Sequence, residues 1–245
     1  MFRTTLSRVP LLHRPFYTVS RLHRPAYHYA GQRLQSTNSA TSSLCPSCSK
    51  QLPTRLPACP SCNYIALVPP SQTYHSIFGL PYDPNPFLID TAQLKKEFRN
   101  AQAACHPDTW ASKGSDKHAI AQNLSSLINE AYQGLLRPMK RVEYVLALNG
   151  HAVSEEDKVD DFSFVAEVID IMEQLEDAGP EALEEVKTIS ATNDGNVKET
   201  LEQIEREVEA GEWAEAKKSS ARLRYFDKIG LAIGRWAEQH EIVLE

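Results

Sequence analysis

Two amphipathic helical patterns are separated by the polar tripeptide His106-Pro107-Asp108, and no other feature of the chain constrains its fold as strongly. Before the tripeptide, apolar residues recur at the spacing of one helix face, at Leu94, Phe98, Ala101 and Cys105. After it, the same spacing appears at Ile120, Leu124, Leu127, Ala131 and Leu135. Because a proline disfavours helical dihedral angles in the preceding residue, the first helix should stop at His106. The sequence therefore predicts a helical hairpin whose connection leaves His106 and Asp108 available to a partner.

The segments around this hairpin follow the order of a known family. In sequence order, these segments are residues 74–80, 94–105, 128–132 and 137–144. They resemble, in turn, the first helix, second helix, third helix and end of a J-domain. The resemblance implies binding to a DnaK-type chaperone through His106, Pro107 and Asp108. It also implies that an acidic chaperone surface meets the exposed basic face of the second helix, Lys95, Lys96 and Arg99.

The N-terminal 35 residues carry six arginines and no acidic residue, and the first acid of the chain is Asp83. An arginine-rich, acid-free segment containing Ser and Thr is typical of a mitochondrial transit peptide, with a disordered basic arm as the alternative. We therefore predict a transit peptide and disordered tail over residues 1–43. Without these six arginines, the chain keeps 20 of its 26 Lys and Arg residues and all 32 Asp and Glu residues. Its net charge would then be about −12. This charge argues against nucleic acid as the main partner.

Four of the five cysteines form two CxxC pairs, Cys45 with Cys48 and Cys59 with Cys62. Ten residues lie between the two pairs. Two turns of this kind place four sulfurs around one ion, which is the preferred closed site of one structural zinc. Iron at the same ligands, a redox dithiol and two disulfides are the alternatives. We expect metal binding to supply the folding energy of this module, and the cores of the helical domains to share no residue with it. Cys105 lies on an apolar stripe and is predicted to be a core residue.

Hydrophobic residues make up 42% of the chain and follow helical spacing, so we predict a mainly α protein. In the C-terminal half, one stripe is predicted to face a core, at Phe164, Val168, Ile171 and Leu175. A second stripe lies beside it, at Val165, Ile169 and Met172, and is either a deeper core position or an exposed patch, with periodicity favouring the core.

Two further helical patterns follow Gly179 and Pro180. The first contains Leu183 and Val208, and periodicity leaves open whether residues 193–196 interrupt it. The last pattern has its apolar stripe at Leu223, Phe226, Gly230 and Ile233, with Trp236 near its end and Tyr225 off the stripe. Count and length predict a three-helix bundle. The predicted segments are a transit peptide and tail (1–43), a four-cysteine zinc module (44–70), a J-domain hairpin (71–150), a linker (151–162) and the bundle (163–245).

This order of segments resembles the HscB family of co-chaperones of iron–sulfur cluster biogenesis. The most specific similarities are residues 141–150, 161–164, 211–213 and 222–228. The resemblance implies a mitochondrial matrix protein, itself no enzyme, that brings an IscU-type scaffold to a DnaK-type chaperone. It places the scaffold-binding residues at Val165, Ala166, Ile169, Asp170, Glu173 and Tyr225.

Two other functions remain as alternatives. One is a general J-domain protein that delivers unfolded chains, although the sequence has no Gly-rich linker and no broad apolar groove. The other is a zinc-dependent enzyme, although the sequence has no HExxH motif and a closed site of four cysteines leaves no position for substrate. No apolar run reaches the length of a membrane span.

Overall fold

A computed structural model describes residues 44–154 and 156–244, so the predicted transit segment lies outside the described residues. Most of the described chain is helical, which confirms the predicted fold class. None of the helices in this part of the chain is both long and apolar enough to cross a membrane.

The four-cysteine module, residues 44–70, contains a short antiparallel ribbon. Strand β1 (Ala58–Cys59) pairs with β2 (Tyr64–Ile65), with Ala58 opposite Ile65 and Cys59 opposite Tyr64. A second, isolated bridge pairs Leu44 with Gln51. The two CxxC turns are therefore closed by separate backbone pairings.

The hairpin domain consists of the helices α1 (Tyr74–Phe78), α2 (Thr91–Cys105), α3 (Pro107–Trp110), α4 (Ser115–Leu136) and α5 (Pro138–Leu148). Asp90 caps the start of α2, and its side chain accepts hydrogen bonds from the N–H groups of Ala92 and Gln93 at 2.9 and 3.0 Å. It ends directly before the tripeptide, as its proline predicts. The predicted loop, however, is a short helix, because Pro107 occupies the first helical position of α3.

The four-cysteine module is part of the hairpin core, so the expectation of separate cores is wrong. Leu56 and Ala58 are fully buried and Ile65 is 7% exposed, and all three pack in the same cluster as Phe78 and Leu94. Spacing within the cysteine motif gives no sign of this packing, because the three apolar residues sit between or just after the ligands and follow no helical period.

An arginine of the module also covers the end of α1. Gly79 caps this helix in the left-handed conformation, with φ of 65°. The positive φ favours glycine here, and a Cβ at this position would lie 2.7 Å from the Nε of the exposed Arg55 side chain, which would have to move. The Arg55 side chain of the module therefore lies against the end of α1.

The C-terminal bundle contains α6 (Phe162–Asp177), α7 (Leu183–Glu209) and α8 (Trp213–Gln239). Helix α7 runs without interruption through residues 193–196. Asn193 is buried there, and its side-chain amide donates a hydrogen bond to the carbonyl oxygen of Phe226 in α8 at 3.2 Å. A polar residue at this position therefore joins two helices instead of breaking one.

The stripe predicted for α8 is partly wrong. Leu223, Ile233 and Trp236 are buried, but Gly230 is exposed and its neighbour Ile229 is buried in its place. The core-facing side of α8 is therefore broader than a single stripe, because this helix packs against both other helices of the bundle and against α5.

The hairpin domain and the bundle share a second core. Val142, Val145 and Leu146 of α5 are fully buried and pack with Ile204 of α7 and Leu223 of α8. The amide of Asn85 crosses the same junction and donates to the backbone carbonyl oxygen of Glu205 at 3.0 Å. The two helical parts are consequently joined by packed apolar side chains as well as by the linker.

We predict that Leu56→Ala destabilises the hairpin domain, although Leu56 lies in the four-cysteine module. Loss of a fully buried leucine should lower the free energy of unfolding by about 2–5 kcal/mol. Leu67→Ala is the matched control, because Leu67 lies in the same module and is 58% exposed. Urea denaturation followed by circular dichroism measures both variants. Equal stability of the two would contradict a shared core.

Candidate functional site

The four sulfurs of the cysteine module surround one point. They lie within 4.8 Å of one another, with 3.6 Å between the Sγ atoms of Cys45 and Cys62 and 3.7 Å between those of Cys48 and Cys59. A tetrahedral ion with metal–sulfur bonds of about 2.3 Å places its sulfurs about 3.8 Å apart. All four thiols are free. The arrangement is therefore compatible with one bound metal ion.

The backbone of each CxxC turn supports this geometry. The carbonyl oxygen of Cys45 accepts from the N–H of Ser49, and the N–H of Cys45 donates to the carbonyl oxygen of Lys50, both at 2.8 Å. The residue after each second cysteine, Ser49 or Asn63, has a positive φ of 57° or 58°. The two turns thus have the same backbone bend, and they present their thiols to each other.

The pKa values of the neighbouring thiols Cys48 and Cys59 shift in opposite directions: burial and the other three thiols raise the pKa of Cys48 to about 12, whereas that of Cys59 falls. The N–H of Cys62 lowers the pKa of the Cys59 thiol to about 6, and the N–H of Ser61 contributes to this shift. Thiolates are the metal-binding form of cysteine. Cys45 and Cys59 are buried and Cys48 and Cys62 are half-buried, so the four thiols enclose the point between them.

Cys105 is not part of this set. It is fully buried in the hairpin core, and its thiol donates to the carbonyl oxygen of Ala101 at 3.2 Å. Burial raises the pKa of Cys105 to about 12, so the side chain is an unreactive thiol of the core.

The His106-Pro107-Asp108 tripeptide joins α2 to α3 on a rigid base. The His106 Nδ1 accepts the N–H of Asp108 at 3.3 Å and so caps α3. The side chains of His106 and Asp108 are 55% and 90% exposed. Directly behind them, Trp110 is buried and its indole N–H donates to the carbonyl oxygen of Ala104 at 3.1 Å. The two polar side chains are therefore presented to solvent from a fixed backbone.

The three basic residues of α2 lie on the exposed side of this helix, opposite the buried Leu94 and Ala101. Within the described residues, Lys95, Lys96 and Arg99 form no ion pair. Lys95, Arg99 and His106 are spaced by four and seven residues, so they follow one helix face. This spacing predicts that Lys95, Arg99 and the tripeptide lie on one side of the hairpin.

The second apolar stripe of α6 divides between core and solvent. Met172 packs against the bundle core, whereas Val165 is half-buried and Ile169 is 51% exposed. Ala166, Asp170 and Glu173 are exposed beside them. Periodicity favoured the core for the whole stripe, and for Ile169 the structure contradicts that preference.

Tyr225 lies beside the first turn of α6. Its ring meets Phe164 edge to face, with 5.6 Å between the ring centroids, and packs against the bundle core. The neighbouring Arg222, in the middle of α8, forms a half-exposed ion pair with Asp161 at the start of α6 at 3.1 Å. Tyr225 therefore packs in the bundle as well as lying at its surface, so its truncation is expected to lower stability.

Sequence reasoning missed Phe162, the first residue of α6. Its side chain is 89% exposed. Its spacing is the signal that could have found it, because Phe162 precedes Val165 by three residues and so extends the second stripe toward the helix start.

Comparisons with known proteins point to one family. Residues 160–234 match the family model described as the HSCB C-terminal oligomerisation domain. Over 172 residues the chain is 30% identical to the human iron–sulfur cluster co-chaperone protein HscB, covering 70% of this chain and 71% of that protein. Over 161 residues it is 31% identical to the co-chaperone protein HscB homolog of Vibrio campbellii, covering 64% of this chain and 92% of that protein.

Solved structures agree with the sequence comparisons. The crystal structure of human co-chaperone protein HscB matches with a TM-score of 0.67 and 28% identity, over 79% of this chain and 98% of that chain. The chaperone HscB from Vibrio cholerae matches with a TM-score of 0.61 and 26% identity, over 69% of this chain and 99% of that chain.

We predict that loss of the metal destabilises the hairpin domain. The wild-type protein should contain about one metal ion per chain, and a Cys45→Ser and Cys48→Ser double variant should lose this ion. Because the module closes the hairpin core, it should also lose at least about 3 kcal/mol of stability, or roughly 6–12 °C in Tm. Elemental analysis and thermal circular dichroism measure the two effects. Ser47→Ala is the matched control, since Ser47 is an exposed residue of the same turn. Unchanged Tm after loss of the metal would contradict the coupling.

Proposed function

Because the chain belongs to the HscB family of iron–sulfur cluster co-chaperones, we propose that it stimulates ATP hydrolysis by a DnaK-type mitochondrial chaperone and delivers an IscU-type scaffold to it for cluster transfer. The observation that carries this proposal is the exposure of His106 and Asp108 at the end of a basic helix face, in a chain whose bundle matches the HscB family model. In this function the protein is a co-chaperone and performs no covalent chemistry itself.

The chaperone is proposed to bind the face of α2. Lys95, Lys96 and Arg99 are exposed and unpaired within the described residues, so they are available to an acidic surface. Charge complementarity of this kind mainly increases the association rate and sets the orientation. His106 and Asp108 then form the specific contacts. Trp110 holds their backbone in place, so little conformational entropy is lost when they engage.

The scaffold is proposed to bind the outer face of α6 and the nearby ring of Tyr225. Val165 and Ile169 provide the apolar centre, and Ala166 leaves room for a partner side chain. Asp170 and Glu173 are exposed one turn further along. Apolar side chains at the centre of an interface usually supply most of its energy, while charges at the rim steer the encounter.

The shared core of α5 and the bundle supports delivery in a fixed geometry. The basic face and tripeptide belong to α2 and α3, and the scaffold surface belongs to α6 and α8. Between them, Val145 and Leu146 are fully buried against the bundle. A client bound to α6 is therefore presented to the chaperone at a constant distance and orientation, without a flexible tether.

We further propose that the cysteine centre binds one structural zinc, with Cys45, Cys48, Cys59 and Cys62 as its ligands, and that residues 1–43 direct the protein to the mitochondrial matrix. The sulfur geometry supports the metal, and the acid-free, arginine-rich composition supports the targeting. When bound, the metal would only cross-link the two CxxC turns of the module. The residues of the module then close the hairpin core through Leu56 and Ala58.

We predict that His106→Gln abolishes chaperone stimulation and preserves the fold. His106 is exposed and makes no core contact, so its replacement should change the free energy of unfolding by no more than about 1 kcal/mol. Single-turnover ATP hydrolysis by the cognate chaperone measures the loss, and calorimetry with the scaffold should show unchanged affinity. His118→Gln, a half-buried histidine of α4, is the control and should stimulate normally. Wild-type stimulation by the His106 variant would refute the chaperone contact.

We predict that a Val165→Ala and Ile169→Ala double variant lowers scaffold affinity by roughly tenfold or more, about 1.4 kcal/mol. Its Tm should change little, since neither side chain is fully buried. Tyr225→Ala, measured separately, should lower both affinity and Tm, because its ring packs in the bundle.

Isothermal titration calorimetry with purified scaffold measures these affinities. Leu88→Ala is the matched control, because Leu88 is 51% exposed, as is Ile169, but lies in the hairpin domain. A loss of several kcal/mol of stability in the double variant would place its residues in the core. A stable double variant with normal affinity would show that the scaffold binds elsewhere.

A further inference from the structure

Phe162 exposes more of its side chain than any other large apolar residue in the described part of the chain. It is 89% exposed, against 83% for Val243 near the C-terminus and 51% for Ile169. Isolated exposed apolar residues are common on protein surfaces and need no explanation. Phe162 is not isolated, however, because it precedes Val165 by three residues and Ile169 by seven. These intervals place all three side chains on one face of α6.

The fold does not require a phenylalanine at this position. Helix α6 is already capped by Asp161, whose Oδ1 accepts from the N–H of Phe164 at 3.2 Å and from the Ser163 hydroxyl at 2.6 Å. Phe164 supplies the aromatic packing, since its ring meets those of Tyr225 and Phe226 edge to face. The two phenylalanines, two residues apart, thus have opposite surroundings, and only Phe164 contributes to the bundle core.

The proposed scaffold surface is small without Phe162. Val165 and Tyr225 are each half-buried, and Ala166 contributes little apolar area, so Ile169 is the single large side chain among them that is mostly exposed. A central aromatic residue that fills a pocket in the partner is the usual energetic anchor of an interface. Phe162 provides an aromatic ring at the N-terminal end of this same surface.

We infer that Phe162 is a further anchor of the scaffold-docking surface, and that the scaffold contributes an apolar pocket with basic flanks that closes over its ring. This inference rests on the proposed function. The basic flanks of that pocket follow from charge complementarity, because the docking surface has acidic residues at both ends. Asp160 precedes the ring in the chain, and Asp170 and Glu173 border the surface at its other end, all three with exposed side chains.

The test is calorimetry with the purified IscU-type scaffold and the full chain. Phe162→Ala should weaken binding by roughly tenfold, about 1.4 kcal/mol. Its Tm should equal that of the wild type, because the ring makes no core contact. Leu231→Ala is the matched control, because Leu231 of α8 is 62% exposed and should leave affinity unchanged. A photoreactive benzoylphenylalanine at position 162 should cross-link to the scaffold.

The Val165→Ala and Ile169→Ala double variant separates this inference from the proposed function. If that variant loses affinity and Phe162→Ala does not, the inference fails and the docking surface on α6 stands. If neither loses affinity, both fail. Light scattering of the protein without scaffold tests the alternative that a second copy of this chain covers Phe162. Self-association that Phe162→Ala abolishes, with scaffold affinity unchanged, would overturn the inference, and so would a fall of several degrees in Tm.

Discussion

Burial of α5 on two sides is the constraint on which the rest of the structure depends. Toward the hairpin, the Tyr144 ring stacks on Tyr74 with 4.1 Å between the centroids. Toward the bundle, Val142, Val145 and Leu146 are fully buried. Arg141 of the same helix donates to the carbonyl oxygen of Phe87 at 2.8 Å from a buried position. A helix fixed on both sides cannot reorient without exposing one core, so it holds the two proposed binding surfaces in one rigid body.

The four-cysteine module at the edge of this body has more influence than its size suggests. Its sulfurs lie in two turns, but Leu56 and Ala58, which the turns position, are as deeply buried as any residue of the hairpin. Cross-linking four side chains reduces the freedom of the segment that carries these residues. A metal bound by the four cysteines would thereby act on the packing around α2, although none of the four belongs to that helix.

The two proposed binding surfaces differ in their physical character. The α2 face is basic and its specific groups are polar and exposed, so it suits rapid, reversible contact with an acidic partner. The α6 face has an apolar centre with acidic groups beside it, so its affinity comes mainly from burial of apolar area. A chain with a net charge of −6 can keep such a basic face because its acids are concentrated in the C-terminal half.

The amino-acid sequence by itself determined the mainly helical fold, the end of α2 before Pro107 and the clustering of the four cysteines, because each depends on local rules of helix spacing, proline sterics and CxxC spacing. Periodicity identifies the faces of a helix but not what covers them. Only the tertiary structure therefore showed that Leu56 enters the hairpin core, that α7 continues through Asn193, and that Ile229 replaces Gly230 in the bundle. The same reason applies to the surface of α6. Ile169 and Phe162 are exposed because α8 covers only one side of that helix, and this is decided by packing between helices rather than by the order of residues within one.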